Sequence, residues 1–217
     1  MGILRYIEYF LARLFVNQKG RDAKLLTRSS LFTGTPKNIS ITSPSLGSSP
    51  AHLSTEHSQL GISKFPDLSW SLDPSVPGVE LNNVKEWFLI VEDPDAPLPF
   101  VPNHGMYYAI PTAKSSVGPD DFKLEALKSS SGSDLPGARY LEGGFRLGKN
   151  LRGTLYSGPR PPVGHGEHRY FFQVVALKEH LDTKKMMAVA TRDEVLKEME
   201  GKLYGWGEWI GTLETKW

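Results

Sequence analysis

Two uninterrupted apolar runs, each joined to a polar loop rich in proline or glycine, constrain the fold more than any other feature of the sequence. Residues 87–91 read Trp-Phe-Leu-Ile-Val and lead into Asp-Pro-Asp-Ala-Pro at 93–97. Residues 161–169 carry two prolines, two glycines and two histidines, and lead into an aromatic and aliphatic run at 170–177. Such runs are typical of strands buried on both faces. We therefore predict two core strands with titratable side chains at their ends, where binding sites are commonly built.

The rest of the sequence predicts a mainly β fold with few helices. Between residues 37 and 70, short apolar stretches are separated by Ser, Thr, Pro and Gly, and a further aromatic run follows at 106–110. Thr191 and Glu194 have the spacing of a capping box, so a helix is expected to begin there. Strands precede the helix without alternation, which favours an antiparallel sheet or sandwich with peripheral helices.

We expect three segments along the chain of 217 residues. Residues 1–36 form an N-terminal amphipathic helix and a linker, and residues 37–217 form one domain that is large enough to bury a sizeable core. Within that domain, residues 113–150 are rich in Ser and Gly and are predicted to form a long, partly mobile loop insertion.

The N-terminal helix is predicted from apolar residues at helical spacing, interrupted by Arg5, Glu8 and Arg13. The apolar positions are Ile3, Leu4, Ile7, Phe10, Leu11, Leu14 and Phe15. The segment is too short to span a bilayer and does not resemble a signal peptide. Packing against its own domain or against a second copy in a homodimer is favoured over attachment to a membrane surface, which stays as a weaker alternative.

Composition argues against several classes of protein. Lys and Arg total 25 against 24 Asp and Glu, so the net charge of +1 gives no overall attraction to nucleic acid. The sequence has no cysteine, which excludes disulfides, thiolate metal sites and a cysteine nucleophile. We expect an intracellular, cytoplasmic protein.

Motifs for metals, cofactors and serine hydrolysis are also missing. His165 and His168 have a spacing that suits a metal on a helix, but the surrounding prolines and glycines argue against that helix. Gly164 and Gly166 resemble the start of a dinucleotide fingerprint, yet Arg169 stands where its last glycine should be. No Gly-x-Ser-x-Gly elbow is present. We therefore expect neither a metal nor a cofactor.

The two loops themselves suggest an anion site. Two prolines stiffen the loop at 93–97, so it can aim a carboxylate, and we expect Asp93 and Asp95 to divide between ligand binding and capping of the turn. In the second loop, Gly164 and Gly166 would leave backbone amides uncovered, as in anion-binding loops, and His168 with its neighbour Arg169 would add positive charge.

Taken together, three motifs resemble the phosphatidylethanolamine-binding protein family, which includes the Raf kinase inhibitor protein. They are the loop at 93–97, His104 ahead of an apolar strand, and residues 161–170. The resemblance extends from about residue 40 to residue 212 and is closer to the bacterial and fungal branch than to animal members. It implies a Greek-key β-sandwich with a large antiparallel sheet and with peripheral and C-terminal helices. The N-terminal helix lies outside it.

The resemblance also implies a small cavity that accepts anions. Its expected lining is Asp93, His104, Pro161, Pro162, His168 and Tyr170, with Asp95, Gly164 and Gly166 as structural neighbours. The two imidazoles would donate to phosphate or carboxylate oxygens, and Asp93 would fix a tautomer or receive an ammonium group.

The sequence departs from the family pattern in its positive charges. Arg160 stands beside the double proline, where relatives commonly have a small residue, and it favours a carboxylate or phosphate ligand. Other basic residues lie in and after the predicted loop insertion. They are Arg139, Arg146, Lys149 and Arg152.

Three functions stay open at this point. The first is a binding protein for a small anion or a phospholipid headgroup. The second is a catalyst or accessory protein in a fungal secondary-metabolite pathway, for example one that joins maleic-anhydride monomers. In it, His104 and His168 would transfer protons with Asp93, and Arg160 would hold a carboxylate or enolate. The third, a regulator of a kinase or protease, ranks last. Binding is the preferred hypothesis.

Overall fold

A computed structural model describes residues 3–125 and 137–217. Within these ranges the chain contains two α-helices, α1 (Ile3–Leu14) and α2 (Arg192–Glu198). The strands are β1 (Ile39–Thr42), β2 (Ala51–His52), β3 (Leu68–Leu72), β4 (Glu86–Glu92), β5 (Asn103–Pro111), β6 (Ser116–Val117), β7 (Tyr140–Leu141), β8 (Phe145–Leu147), β9 (His168–Leu177) and β10 (Leu203–Leu213). The fold is mainly β, as predicted.

The strands form two sheets that enclose the main core. The large sheet has the order β2-β10-β9-β4-β5-β8-β7, and its pairs are antiparallel except for the parallel pair β2 and β10. The small sheet has the order β1-β3-β6. Trp70 of the small sheet packs edge-to-face on Trp87 of the large one, with ring centroids 6.1 Å apart. The two sheets therefore form a sandwich closed by large aromatic side chains.

Strand β4 is apolar throughout because both of its faces are covered. Leu89 and Val91 point into the core between the sheets, whereas Phe88 and Ile90 belong to a second apolar cluster on the opposite face of the large sheet. The whole of β4 is buried, as the uninterrupted apolar run predicted.

The second face of the large sheet is covered by residues 22–32 and by helix α2. The buried carboxylate of Glu92 connects both of these segments to β4. It accepts hydrogen bonds from the backbone N–H of Leu26 at 2.7 Å and from Nε of Arg192 at 2.9 Å. The side-chain amide of Gln173 donates to the same carboxylate at 2.8 Å. The region between α1 and β1 therefore packs as part of the domain.

Strand register brings the three sequence motifs to one end of the large sheet. Glu92, the last residue of β4, pairs with Phe171 of β9 and with Asn103 of β5. His168 therefore lies beside the loop that follows β4, and His104 lies on the other side of β4. Residues distant in sequence meet here because β4 is the central strand of the three.

Two regions differ from the expectation. Within residues 113–150, expected to form a long loop insertion, the described part contains the short strands β6, β7 and β8, which pair at the edges of the two sheets. The Ser-rich residues 129–133 lie outside the described ranges. A long strand, β10, follows helix α2, although the sequence was interpreted as ending in a helix.

Helix α2 begins where the sequence predicted it. Thr191 is its N-cap, and the side chains of Thr191 and Glu194 form a reciprocal capping box. Among the described residues, no helix combines the length and the apolar character that crossing a bilayer would need.

Candidate functional site

A cavity of about 250 Å³ opens at the end of the large sheet, between the loops that follow β4 and precede β9. Of the residues expected to line it, Asp93, His104, Arg160, Pro162, His168 and Tyr170 border this cavity. Pro161 is buried next to Pro162 but is not part of the lining. The structure adds Glu8 of α1, Gln59 and Arg152 to the wall.

A chain of hydrogen bonds runs from Asp93 through two histidines to the N-terminal segment. Asp93 Oδ2 lies 2.9 Å from His168 Nδ1, and His168 Nε2 lies 2.7 Å from His165 Nδ1. His165 Nε2 lies 2.9 Å from the backbone oxygen of Phe15. Both ring nitrogens of His168 are thus occupied by protein atoms. The expectation that His168 donates directly to a ligand is therefore not met in this structure.

The three contacts of this chain need one proton each. Two neutral imidazoles and an ionised carboxylate supply only two, because a neutral imidazole carries a single N–H. The complete chain therefore holds one additional proton, either on a histidine or on Asp93. Asp93, His168 and His165 together form what we call the proton chain, which carries no net charge when all three hydrogen bonds are made.

His104 has a different role, because one of its ring nitrogens is free. Its Nδ1 lies 2.6 Å from the backbone oxygen of Ser157 and must carry the proton, since a carbonyl oxygen only accepts. Burial lowers the pKa of His104 below its ordinary value of 6.5, against the opposing effect of Asp93. Nε2 makes no hydrogen bond among the described residues, and it is not buried from solvent. It therefore faces the cavity as an unprotonated acceptor.

Tyr170 stands between His104 and the proton chain. Its ring packs edge-to-face on His104, with centroids 5.2 Å apart and planes at 87°. Burial raises the pKa of Tyr170 well above its ordinary value, and the nearby Asp93 adds to the rise. The hydroxyl is therefore neutral. It lies near Asp93, is buried, and makes no hydrogen bond among the described residues.

The second aspartate of the first loop organises the backbone. Asp95 accepts from Nε of Arg169 at 2.9 Å, from its Nη2 at 2.8 Å and from its backbone N–H at 2.9 Å, and Arg169 also pairs with Asp22. Burial alone would raise the pKa of Asp95, but these hydrogen bonds hold it below its ordinary value. Arg169 is thus committed to this network, which corrects the expectation that it adds charge to an anion site.

The glycines of the second loop pack closely against the N-terminal segment. Gly164 and Gly166 have φ of +84° and +88°, a region that strongly favours glycine. A Cβ at Gly164 would lie 2.3 Å from the ring of Tyr9, and one at Gly166 would lie 3.0 Å from Nζ of Lys19. Tyr9 and Lys19 of the N-terminal segment therefore lie against the Cα atoms of this loop.

Positive charge reaches the cavity through two arginines. Arg152 and Arg160 both line it and are exposed, and within the described ranges neither guanidinium makes a hydrogen bond or an ion pair. Arg146, expected to be a charge of the loop, is instead buried and stacked against Tyr108 and Tyr140. Two of the predicted basic residues thus supply the cationic edge of the cavity.

Sequence reasoning missed His165 and Glu8 as site residues. His165 was considered only as a metal ligand, but it contacts His168 directly, and the described residues contain no cluster of three or more metal-ligating side chains. Its position three residues before His168, in a turn, was the available signal. No sequence signal pointed to Glu8, because α1 packs over a cavity whose residue Asp93 is more than 80 positions away in sequence.

Comparison with known proteins identifies the family. The sequence model of the family described as phosphatidylethanolamine-binding protein matches residues 45–214. The chain is 42% identical over 216 residues to phomoidride biosynthesis cluster protein B of Talaromyces stipitatus, covering 99% of this chain and 84% of that protein. A protein of the same name from a fungal species is 42% identical over 217 residues, which is 100% of this chain and 98% of the relative.

Solved structures agree on the fold. Escherichia coli YbcL, described as a member of the mammalian family, aligns with a TM-score of 0.61 and 24% identity, covering 82% of this chain and 99% of that one. A homologue from Chlamydia trachomatis described as a phosphatidylethanolamine-binding protein aligns with a TM-score of 0.59 and 24% identity, covering 83% and 99%. Since the sequence match spans most of the chain and the fold agrees, the chain belongs to the phosphatidylethanolamine-binding protein family.

Proposed function

We propose that this protein binds a small metabolite carrying a carboxylate or phosphate group in the cavity at the end of the large sheet. The observation that carries the proposal is the pair Arg152 and Arg160, two cavity-lining guanidinium groups with no partner among the described residues. An anion between them would gain charge-assisted hydrogen bonds without breaking an existing ion pair. Tyr170 also lines the cavity, and its buried hydroxyl makes no hydrogen bond among the described residues.

The relatives favour a metabolite of a biosynthetic pathway over a phospholipid headgroup. Two fungal proteins named for a phomoidride biosynthesis cluster are 42% identical to this chain over nearly its whole length. Similarity of that extent includes α1 and the N-terminal segment that covers the glycine loop. On this basis we assign the protein to a fungal secondary-metabolite pathway.

Titration calorimetry with maleate, acetate and inorganic phosphate tests the binding proposal. We expect Arg152→Met and Arg160→Met each to weaken maleate binding about tenfold, the loss of one or two charged hydrogen bonds. Arg139→Met is the matched control, because Arg139 is an exposed arginine nearby whose guanidinium donates to the backbone of Gly153 and does not line the cavity. Absence of binding by all three anions would reject the proposal.

Proton transfer is a second candidate function, favoured by the free Nε2 of His104. A base that is neutral at pH 7 and faces a cavity with arginines can take a proton from a carbon that is conjugated through a double bond with a bound carboxylate, whose oxygens then hold the electron pair. The C–H bond breaks, the proton moves to Nε2, and the reverse step returns a proton to carbon.

Hydrogen exchange in 2-methylmaleate distinguishes catalysis from binding. In D₂O, a catalytic site would exchange the methyl hydrogens, followed by proton NMR, and His104→Asn would abolish exchange while maleate still binds. Asparagine is chosen because its side-chain amide can donate to the Ser157 carbonyl as Nδ1 does. Binding of 2-methylmaleate by the wild type without any exchange would reject this second function and leave the first intact.

A further inference from the structure

Helix α1 lies on the domain with its polar and aromatic side inward. Arg5 donates to the backbone oxygen of Lys216 at 3.0 Å and packs over the ring of Trp217. Tyr9 contacts Trp217, with ring centroids 5.0 Å apart, and lies against Gly164. Because these contacts fix one side of the helix, most of its apolar side chains point away from the core and remain exposed.

Part of this apolar side forms one wall of a groove with a volume of about 380 Å³. Its apolar lining comprises Leu4, Ile7, Leu11 and Ala12 from α1, Phe15 directly after α1, and Pro97 and Pro162 from the two site loops. The helical residues recur at spacings of three and four, so they form one continuous stripe. From Leu4 to Phe15 the stripe runs about 16 Å, at 1.5 Å per residue.

The groove adjoins the anion cavity. Glu8, Pro97 and Pro162 border both spaces. An apolar groove about as long as the helix thus ends next to a cavity that is lined by the cationic side chains of Arg152 and Arg160. A molecule with a charged end and a hydrocarbon end fits both surfaces at once, whereas a fully polar metabolite would leave the stripe exposed to water.

We propose that the ligand is an amphiphile, with its carboxylate or phosphate in the cavity and an aliphatic chain in the groove under α1. This inference rests on the proposed anion site and adds the hydrocarbon subsite to it. A second copy of the chain or a membrane surface would instead meet Ile3, Phe10 and Leu14, which are the exposed apolar residues of α1 outside the groove. The groove itself faces the proline loops of the site.

Affinity as a function of chain length tests this inference. We measure calorimetric binding of acetate, butyrate, hexanoate and octanoate at concentrations below micelle formation. Each methylene that enters the groove should tighten binding about threefold to fourfold. Ile7→Ser and Leu11→Ser should lower the ratio of octanoate to acetate affinity at least about fivefold, because each replaces apolar groove surface by a hydroxyl.

Phe10→Ser and Leu14→Ser are the matched controls. They remove apolar side chains of similar size from the same helix but outside the groove, so they should leave the octanoate ratio unchanged. Circular dichroism and light scattering of every variant report whether the fold and the molecular mass stay those of the wild type.

Each other outcome overturns the inference in a distinct way. Equal affinity for acetate and octanoate would overturn the hydrocarbon subsite and leave the anion site standing. Failure of all four carboxylates to bind would overturn both. An equal fall in the octanoate-to-acetate affinity ratio in the control variants would mean that the hydrocarbon chains contact the helix without using the groove. A change in mass or in vesicle co-sedimentation for Leu11→Ser, with the ratio unchanged, would assign the stripe to a second copy or to a membrane.

Discussion

His165 Nε2 lies 2.9 Å from the backbone oxygen of Phe15, the residue directly after helix α1. A carbonyl oxygen can only accept, so His165 donates from Nε2 and its Nδ1 faces His168. Phe15 lies outside the residues matched by the family model, which begin at 45. The N-terminal segment is therefore part of the candidate site, because it fixes the far end of the proton chain.

The first prediction concerns His165→Phe. The substitution keeps a buried ring of similar size but removes both hydrogen bonds. It leaves Nε2 of His168 without a partner, whereas the Phe15 carbonyl keeps the backbone N–H of Gln18 at 2.8 Å. We expect the free energy of unfolding to fall by about 1–3 kcal/mol, the usual cost of unsatisfied buried groups. Urea denaturation measures the fall, and the ¹⁵N chemical shifts of His168 should report a changed tautomer.

His52→Phe serves as the comparison for that variant. His52 is exposed, so its replacement should change stability by less than about 0.5 kcal/mol. If His165→Phe left the ¹⁵N shifts of His168 as they are in the wild type, the proton chain would not control that tautomer.

The second prediction concerns pH. Burial lowers the pKa of His104, and also those of His57 and His165, below the ordinary 6.5. Below about pH 6.5 the unfolded chain therefore binds more protons than the folded one, so stability decreases as pH falls. For His104 the limiting slope is about 1.4 kcal/mol per pH unit. We expect a lower free energy of unfolding at pH 5.5 than at pH 7.5.

His104→Asn isolates the contribution of that one group. Burial raises the pKa of Glu86, which changes stability with pH in the opposite direction. This effect is present in the wild type and in the variant, so it cancels in the difference between their slopes. The variant should show a shallower loss of stability between pH 7.5 and 5.5, measured by urea denaturation at each pH. Identical slopes would mean that His104 is not held neutral by the fold.

The parts of the fold that sequence reasoning recovered are set by local patterns. The apolar run at 87–91 identified β4 because it needs cover on both faces, and observed β4 extends only one residue further at each end. The capping box of Thr191 and Glu194 fixed the start of α2 in the same way, since its hydrogen bonds join residues three apart.

The parts it missed depend on contacts between distant segments. Gly164 carries the turn conformation that glycine allows, but the ring of Tyr9 that fills the space beside it comes from α1. Arg146 belongs to a polar stretch by composition, yet its guanidinium lies between two tyrosine rings. No local pattern encodes which side of an amphipathic helix meets the domain, and α1 exposes the side that periodicity would have buried.

The third prediction separates a buried ion pair from an exposed one that shares the same arginine. Arg169 binds the buried carboxylate of Asp95 and the half-exposed carboxylate of Asp22. Arg169→Met would leave Asp95 charged and without a cation, at a cost of about 3–5 kcal/mol in unfolding free energy. Asp22→Asn should cost less than about 1 kcal/mol, because solvent screens that pair. Similar losses in both variants, measured by urea denaturation, would contradict the assignment of Asp95 as the organising partner.

The fourth prediction tests whether α1 docks on the glycine loop. Gly164 and Gly34 have nearly equal φ, +84° and +81°, so alanine at either position costs about 1 kcal/mol of backbone strain. At Gly34 nothing lies within 4 Å of the added methyl, whereas at Gly164 the methyl would overlap the ring of Tyr9. Gly164→Ala should therefore lower the free energy of unfolding more than Gly34→Ala does. It should also speed amide hydrogen exchange throughout residues 3–14, because the helix loses its packing contact with the loop. Exchange in α1 that is equally slow in the two variants would show that its contacts with Lys216 and Trp217 are enough to hold the helix.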